Sequence, residues 1–501
     1  MLRQKSEKLI QIFYIVFVVT FGWLFFNVIF NNMHFSYSPF VVLPIAGVWL
    51  FALYLIYRTI QKHESILVKY KVRYLIAFFV LLVITLFAVY SQLRTYPTRD
   101  FERIFTGAYN YTIAGVIEDP YLDYFYKYPN NMPLTIFLQF VFRVFYKFGF
   151  TNFYIVGALV NTFCICGTYF FLYLCCEKRL GVKQGFFALA LMYLCIPIHF
   201  YISVFYTDII SMPFIPFALY ISFLIQDAKN AKETILPLAG LFVVIGFGLK
   251  IKYSVAIIII AISIDFIIRK EYKKIVAICL TVLCSFFTWS SGFDAFMYKN
   301  ILDEEIAYDA ATPFASWIMM SLKGDGTHDP NDNYFIWYFE THEEKNEYAW
   351  LEIRARLEEH GVLGYIRFLN QKAIRSFGSG NMDMSNTAAD SPMRQGFLVE
   401  CASEFGQYFT SCDNIIQGYH IMLFLSITIG ALMAYKKRVA VMFPVYLSIF
   451  GLFLFLLLWE SGQRYLINYT AMYMFAGTYA LMQIFDRFDV MVRKKIQKNE
   501  Q

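Results

Sequence analysis

Charged residues are scarce in this sequence. They make up 16% of its 501 residues, against roughly a quarter in soluble domains, so the composition is that of a membrane protein. Familiar soluble chemistry is missing too. There is no phosphate-binding loop, dinucleotide-binding turn, zinc quartet or nucleophilic triad. No internal repeat or low-complexity segment stands out. The net charge of +6 is not gathered into a basic stripe, which excludes nucleic acid as the expected partner. No cleavable signal peptide is expected: Met1 to Lys8 is basic, but the run from Leu9 to Phe30 is long enough to span a bilayer. Cysteines with metal spacing are also lacking. Cys164, Cys166, Cys175, Cys176, Cys195, Cys279 and Cys284 lie in or beside apolar runs, as small hydrophobes do. Cys401 and Cys412 fall instead in a long polar segment, where an oxidising compartment could join them.

What is abundant is apolar and aromatic: 58% of residues are hydrophobic, and 55 Phe and 38 Tyr suit lipid-facing packing and interfacial belts. A span needs roughly 20 apolar residues. Twelve such segments are expected, at about 9–31, 40–58, 74–93, 153–175, 184–203, 209–226, 235–249, 252–268, 274–292, 416–434, 439–459 and 466–485. The connecting loops sort by charge. One set holds Arg3/Lys5/Lys8, Arg58 to Arg73, Lys178/Arg179/Lys183, Lys229/Lys232, Arg269 to Lys274, Lys436/Lys437/Arg438 and Arg493 to Lys498, whereas 32–39 and 204–208 have no Lys or Arg. The positive-inside rule places the first set, and with it both termini, in the cytoplasm.

Segments 94–152 and 293–415 then face outward. Within the first, Pro133 to Phe148 is expected to be a helix lying in the outer leaflet. Within the second, Glu343 to His360 reads as a charged helix with Leu351 and Leu357 inward and Gly361 as its stop. Val362 to Phe377 follows as an amphipathic helix. The expected fold is an all-α polytopic membrane protein. Its parts are two N-terminal spans with their loop (1–73), a transmembrane core (74–292), the outer region (293–415), C-terminal spans (416–486) and a basic tail (487–501).

Ionisable residues gather on the outward side. Asp100 and Glu102 follow the third span, flanked by Arg99 and Arg103. Tyr128, Asn130 and Asn131 sit between Pro129 and Pro133 in a turn that either starts a helix or holds sugar hydroxyls or a phosphate. Tyr206-Thr207-Asp208 is a short outer loop whose Thr207 or Asp208 would suit a helix N-cap, unless the carboxylate faces the same cavity as Asp100. Lys250 and Lys252 occupy an outer turn, either snorkelling or meeting an anion. Arg464 is the one cation in the last outer loop. Glu460 is its candidate ion partner, and Trp459 and Tyr465 are interfacial anchors. The acids of Asp325 to Asp332 lack the spacing of a calcium loop and read as a solvated turn.

The order of these pieces resembles the GT-C superfamily of integral-membrane glycosyltransferases, in particular bacterial members related to protein O-mannosyltransferases and lipid A aminoarabinose transferases. The resemblance runs over roughly 74–290 and 440–485. It is carried by Asp100, Tyr128-Pro129 to Pro133, Lys178-Arg179-Leu180-Gly181, Tyr206-Thr207-Asp208, Gly248-Leu249-Lys250 and Arg464-Tyr465. The segment Ser316 to Gly324 is similar to that of uncharacterised Gram-positive members. Such a resemblance implies a polyprenyl-phosphate sugar as donor and an extracytoplasmic glycan, lipid or protein as acceptor. Asp100 would be the base, with Glu102 sharing its loop and Asp208 orienting the acceptor. Arg464, Lys250 and Lys252 would stabilise the leaving phosphate, with inversion at the sugar. The spacing Asp100-Phe101-Glu102 departs from the adjacent acids common in the family and leaves the division of roles between them open. No organic cofactor is implied, and a divalent cation stays open. A polysaccharide polymerase or ligase, which would use outer arginines such as Arg394, is one alternative. A transporter or flippase of lipid-linked substrates is another, and would need charges within the spans.

Overall fold

The computed structural model describes residues 2–499 apart from 33 and 36, and the side chains of 7–495 and 497 apart from those two. The side chains of Arg3, Lys5 and Lys498 lie outside the described residues. Among those described there is no strand, only a single bridge between Thr95 and Pro392. A chain with so few charges and so much apolar surface has one economical way to satisfy its backbone in lipid, the helix.

Among the described residues, nine helices are long and apolar enough to cross a membrane: Glu7–Phe30, Pro39–Lys62, Lys71–Gln92, Phe153–Arg179, Thr207–Asp227, Ala231–Ile251, Tyr272–Asn300, Phe409–Lys437 and Ala440–Leu458. Three of the twelve expected spans take other forms. The segment 184–203 is broken, Val182–Tyr193 and Ile196–Ser203 meeting at 66° where Pro197 opens a new helix. The segment 252–268 is a short apolar stretch, Tyr253–Ile268. The last begins as a 3-10 helix, Gln463–Tyr469, and continues as Thr470–Asn499, which ends in basic residues. Against the twelve expected, the described residues hold nine helices of spanning length and composition, or ten if the bent pair is one span. Large apolar side chains such as Phe40, Phe163 and Leu236 point outward from the bundle, as lipid-facing residues do.

The two N-terminal helices are built into the bundle. Phe17 packs edge-on to Tyr446, Phe21 stacks on Phe424, and the Tyr14 hydroxyl donates to the Val439 carbonyl at 2.8 Å. Charged residues at the opposite end from Asp100 form ion pairs, across helices and within one. Arg179 and Lys178 both reach Asp227, and Arg269 holds Asp265 at 2.8 Å.

The outer region carries a small core of its own, formed by Ala315, Met319, Leu322, Ile336, Ala349, Ile353 and Phe368. Its long helical stretch, His342–Phe377, starts with a capping box from Thr341 and Glu344 and is two helices meeting at Gly361, whose φ of 56° and ψ of 177° are non-helical, as the expected stop requires. The expected inward face is corrected as well. Leu351 and Leu357 are exposed, and Ala349, Ile353 and Lys345 are the buried positions. The region docks onto the membrane core where Trp317 stacks on Trp459, with centroids 5.8 Å apart, and where Ser461 donates to the Gly326 carbonyl. The acids of 325–332 are not a solvated turn. Asp332 is buried and held by Arg356 and Lys323, Asp329 by Lys323, and Asp325 by Arg375.

Two glycines set how the outer helices approach the bundle. A Cβ on Gly107 would lie 2.7 Å from the Phe125 ring, and one on Gly157 would lie 2.3 Å from Phe205. Phe205 in turn meets Phe101 edge-on at 4.7 Å, so the helix bearing Asp100 is registered against the span Phe153–Arg179. Gly157→Val should cost about 1–3 kcal/mol through overpacking. Gly47→Val, where the new Cβ meets nothing, should cost little. Thermal unfolding in detergent checks both; equal melting temperatures would contradict the packing described.

Candidate functional site

Asp100 lies in the first turn of the helix Arg99–Ile113, just past the C-terminal end of the span Lys71–Gln92. Its carboxylate accepts two hydrogen bonds from tyrosines. The Tyr124 hydroxyl donates at 3.0 Å and the Tyr206 hydroxyl at 3.3 Å. Asn131 donates to the Tyr124 hydroxyl at 2.5 Å, which orients that hydroxyl toward Asp100. No cation pairs with Asp100 among the described residues. Burial and the negative charge of Asp100 push the hydroxyls of Tyr124 and Tyr206 well above their usual range, so both stay protonated donors.

Asp208 is a different kind of acid. It sits one residue inside a short helix whose N-cap is Tyr206, without side-chain capping, and its side chain is only 2% exposed. Lys252 bonds one carboxylate oxygen, and Arg464 Nε lies 3.2 Å from the other. The capping reading is thereby replaced by a buried three-member ion cluster. Two cations surround one carboxylate and leave one net positive charge. Among the described residues, the terminal guanidinium nitrogens of Arg464 make no hydrogen bond. Two tyrosine rings face the cations: Arg464 lies 5.1 Å over Tyr206 and 5.9 Å over Tyr465, and Lys252 lies 4.9 Å over Tyr465. Burial lowers the Lys252 ammonium from its ordinary value, and Asp208 restores part of the difference.

Local structure explains why these residues meet. The helix Ala231–Ile251 ends at Lys252, and the turn Tyr253–Val255 follows. Asn468 donates to Ser254 Oγ at 2.8 Å, and the Tyr469 hydroxyl donates to the Ser254 carbonyl at 3.0 Å. These bonds bring the 3-10 helix bearing Arg464 beside Lys252. Tyr206 then joins the two acids, giving Asp100 a hydroxyl and Arg464 a ring face.

The other expected residues divide. Glu460 does not form an ion pair with Arg464; Tyr465 is its hydrogen-bond partner. Burial raises the Glu460 carboxyl, opposed by His328 and Arg464 and reinforced by Asp100. Tyr128 feels the charges of both Asp100 and Glu460 and packs edge-on to Trp317 and Trp337 of the 293–415 region. Glu102 turns aside to Tyr121, which donates at 3.2 Å and is stacked by Arg103. Asn130 is exposed, whereas Asn131 is buried. Lys250 leaves the cluster for Ser290 at 3.2 Å and Asp294 at 3.4 Å. Sequence reasoning missed Tyr124, although Tyr121, Tyr124 and Tyr128 share one face by helical spacing. It also missed His328 and Lys372, which come from distant outer elements. No cluster of three or more His, Cys, Asp or Glu able to hold a metal ion occurs among the described residues.

One family model matches residues 1–484, that of conserved hypothetical integral membrane proteins. The chain belongs to this family. The match takes in the two N-terminal helices together with the Asp100–Asp208 region. No curated protein matches the chain.

Lys372 offers a pH test of the site's rim. It is fully buried on the outer helix, with Nζ donating to the Ser321 carbonyl at 3.0 Å. Burial lowers its ammonium from 10.5 to about 7, with partial relief from Glu460. Between those pH values the unfolded chain binds the proton and the folded chain releases it. Stability should therefore rise with pH from about 7 toward 10.5. Melting curves of Lys372→Met should lose that rise; identical pH slopes would contradict a buried, neutralised lysine.

Proposed function

We propose that the protein is a membrane glycosyltransferase. It moves a sugar from a polyprenyl-phosphate donor to an extracytoplasmic acceptor, with both termini cytoplasmic and the Asp100 face outward. The observation that carries this reading is the contrast between the two acids. Asp208 is clamped by Lys252 and Arg464, leaving one positive charge and a free guanidinium fork, while Asp100 is bonded only by hydroxyls. A buried excess positive charge calls for an anion, and the planar fork of arginine matches a phosphate. A carboxylate without a cation partner keeps its capacity to accept a proton.

In the reaction, the acceptor oxygen attacks the anomeric carbon as the bond from that carbon to the phosphate oxygen breaks. The acceptor proton passes to Asp100. The electron pair of the broken bond stays on the phosphate, whose charge faces Arg464 and Lys252. Attack opposite the leaving group inverts the configuration. Asp208 holds the two cations and takes no proton. The acceptor is an envelope glycan, lipid or protein.

A transporter of lipid-linked anions is the second reading, favoured by the 66° break between Tyr193 and Ile196. Transfer assays in nanodiscs with a panel of polyprenyl-phosphate sugars separate the two. Asp100→Asn should lose roughly 100-fold or more in rate, the scale of a lost general base. Arg464→Lys should lose turnover while keeping the fold. Equal transfer by wild type and Asp100→Asn would overturn the assignment of the base. Solute flux in liposomes without sugar transfer would favour the transporter.

A further inference from the structure

Cys401 and Cys412 stand apart from the other seven cysteines. Cys164, Cys166, Cys175 and Cys176 lie in one span, Cys279 and Cys284 in another, and Cys195 at the break in the bent pair. Cys401 is in the short outer helix Phe397–Ala402, and Cys412 is in the first turn of Phe409–Lys437. Both thiols are free, and they are near enough for Cys412 to act electrostatically on Cys401. The connection between them is tight and held at several points. Tyr408 donates to the Glu400 carbonyl at 3.2 Å, and Gln407 to the Glu400 carboxylate at 2.7 Å. Gly406 lies so close to Glu400 that a Cβ would approach its carbonyl oxygen to 2.2 Å. Phe397 packs on Tyr408 with ring centroids 5.5 Å apart. The pair is therefore brought together by backbone and ring contacts that need no bond between the sulfurs.

We propose that Cys401 and Cys412 are a thiol–disulfide modification site, closed by a dithiol-oxidising partner on the extracytoplasmic face. Cys412 is half-exposed and Cys401 is buried, so an oxidant reaches Cys412 first. Burial, reinforced by the Cys412 thiol, pushes Cys401 up to about 12, which suits it to the second step and not the first. The Cys412 sulfur attacks the oxidant's disulfide and releases one of its sulfurs as thiolate. The Cys401 sulfur then attacks Cys412, forming the internal bridge and releasing the second thiolate. Two electrons pass to the oxidant, and the two protons lost by the cysteines convert its thiolates to thiols.

The bridge would act on the site's scaffold. Asp413, next to Cys412, accepts from Asn381 Nδ2 at 2.8 Å. Asn381 caps a buried turn in which Met382 and Asp383 both adopt left-handed φ, at 55° and 62°. The carbonyl of Met382 receives the Tyr201 hydroxyl at 2.7 Å, five residues before Tyr206. Fixing the start of the helix Phe409–Lys437 therefore steadies a strained segment that supports the loop carrying Tyr206 and Asp208.

This inference rests on the outward placement of 293–415 and not on sugar transfer. The test labels the full-length chain in intact cells, acid-quenched and denatured, with a maleimide polymer before and after reduction. Two fewer additions before reduction than after are expected. Cys401→Ser and Cys412→Ser should each give the same number before and after, and should lower the melting temperature by a few degrees. All nine cysteines reacting without reduction, even after a membrane-impermeant oxidant is added to the cells, would overturn the proposal. Closure by a permeant oxidant alone would also overturn it, by placing the pair in the cytoplasm. Loss of transfer activity with the bridge intact would count against the glycosyltransferase reading only.

Discussion

The burial of one carboxylate between two cations is the constraint on which the outer half of this protein turns. An unpaired Asp208, Lys252 or Arg464 at this depth would be very costly, because desolvation of a lone charge exceeds anything its surroundings could return. Each of the three therefore needs the other two in place. They arrive from three separate helix ends: the start of Thr207–Asp227, the end of Ala231–Ile251 and the 3-10 helix Gln463–Tyr469. Their contact draws together elements more than 200 residues apart in sequence. The tyrosine faces around the cations add attraction where water is excluded.

That cluster and the Asp100 network share a single residue, Tyr206. Its hydroxyl belongs to one and its ring to the other. The division gives the two acids different surroundings, cations for Asp208 and hydroxyls for Asp100. Cations placed directly on Asp100 would fix its charge and weaken it as an acceptor. Hydroxyl donors hold the carboxylate in position without neutralising it. The outer region closes the arrangement from above through Tyr128, Trp317 and Trp459, so the site has a wall of rings on the side away from the bundle.

The membrane class and most of the long apolar helices were legible from composition and apolar runs, as was the Asp265–Arg269 pair, four residues apart. These properties are local. A run of twenty apolar residues has few options in lipid, and a salt bridge four residues apart needs only the helix itself. Span regularity was less legible, because a proline or a run of 3-10 turns breaks a helix without changing its hydropathy. The segment 184–203 looked continuous for that reason, though Pro197 sits within it.

Partner choice could not be read from the chain. Lys250 and Lys252 are two residues apart and chemically alike, yet helical geometry turns one to Asp294 and the other to Asp208. Leu351 and Leu357 looked inward by composition, but the outer core lies on the face of Ala349 and Ile353. Arg464 bypasses the nearby Glu460 for a carboxylate 256 positions earlier. The sequence by itself determined which segments are apolar enough to enter a membrane and which charged residues lie beside them, because hydropathy depends on each segment alone. Only the tertiary structure decided which of them touch, because a buried charge selects its partner by depth and direction, and both are set by how distant helices pack.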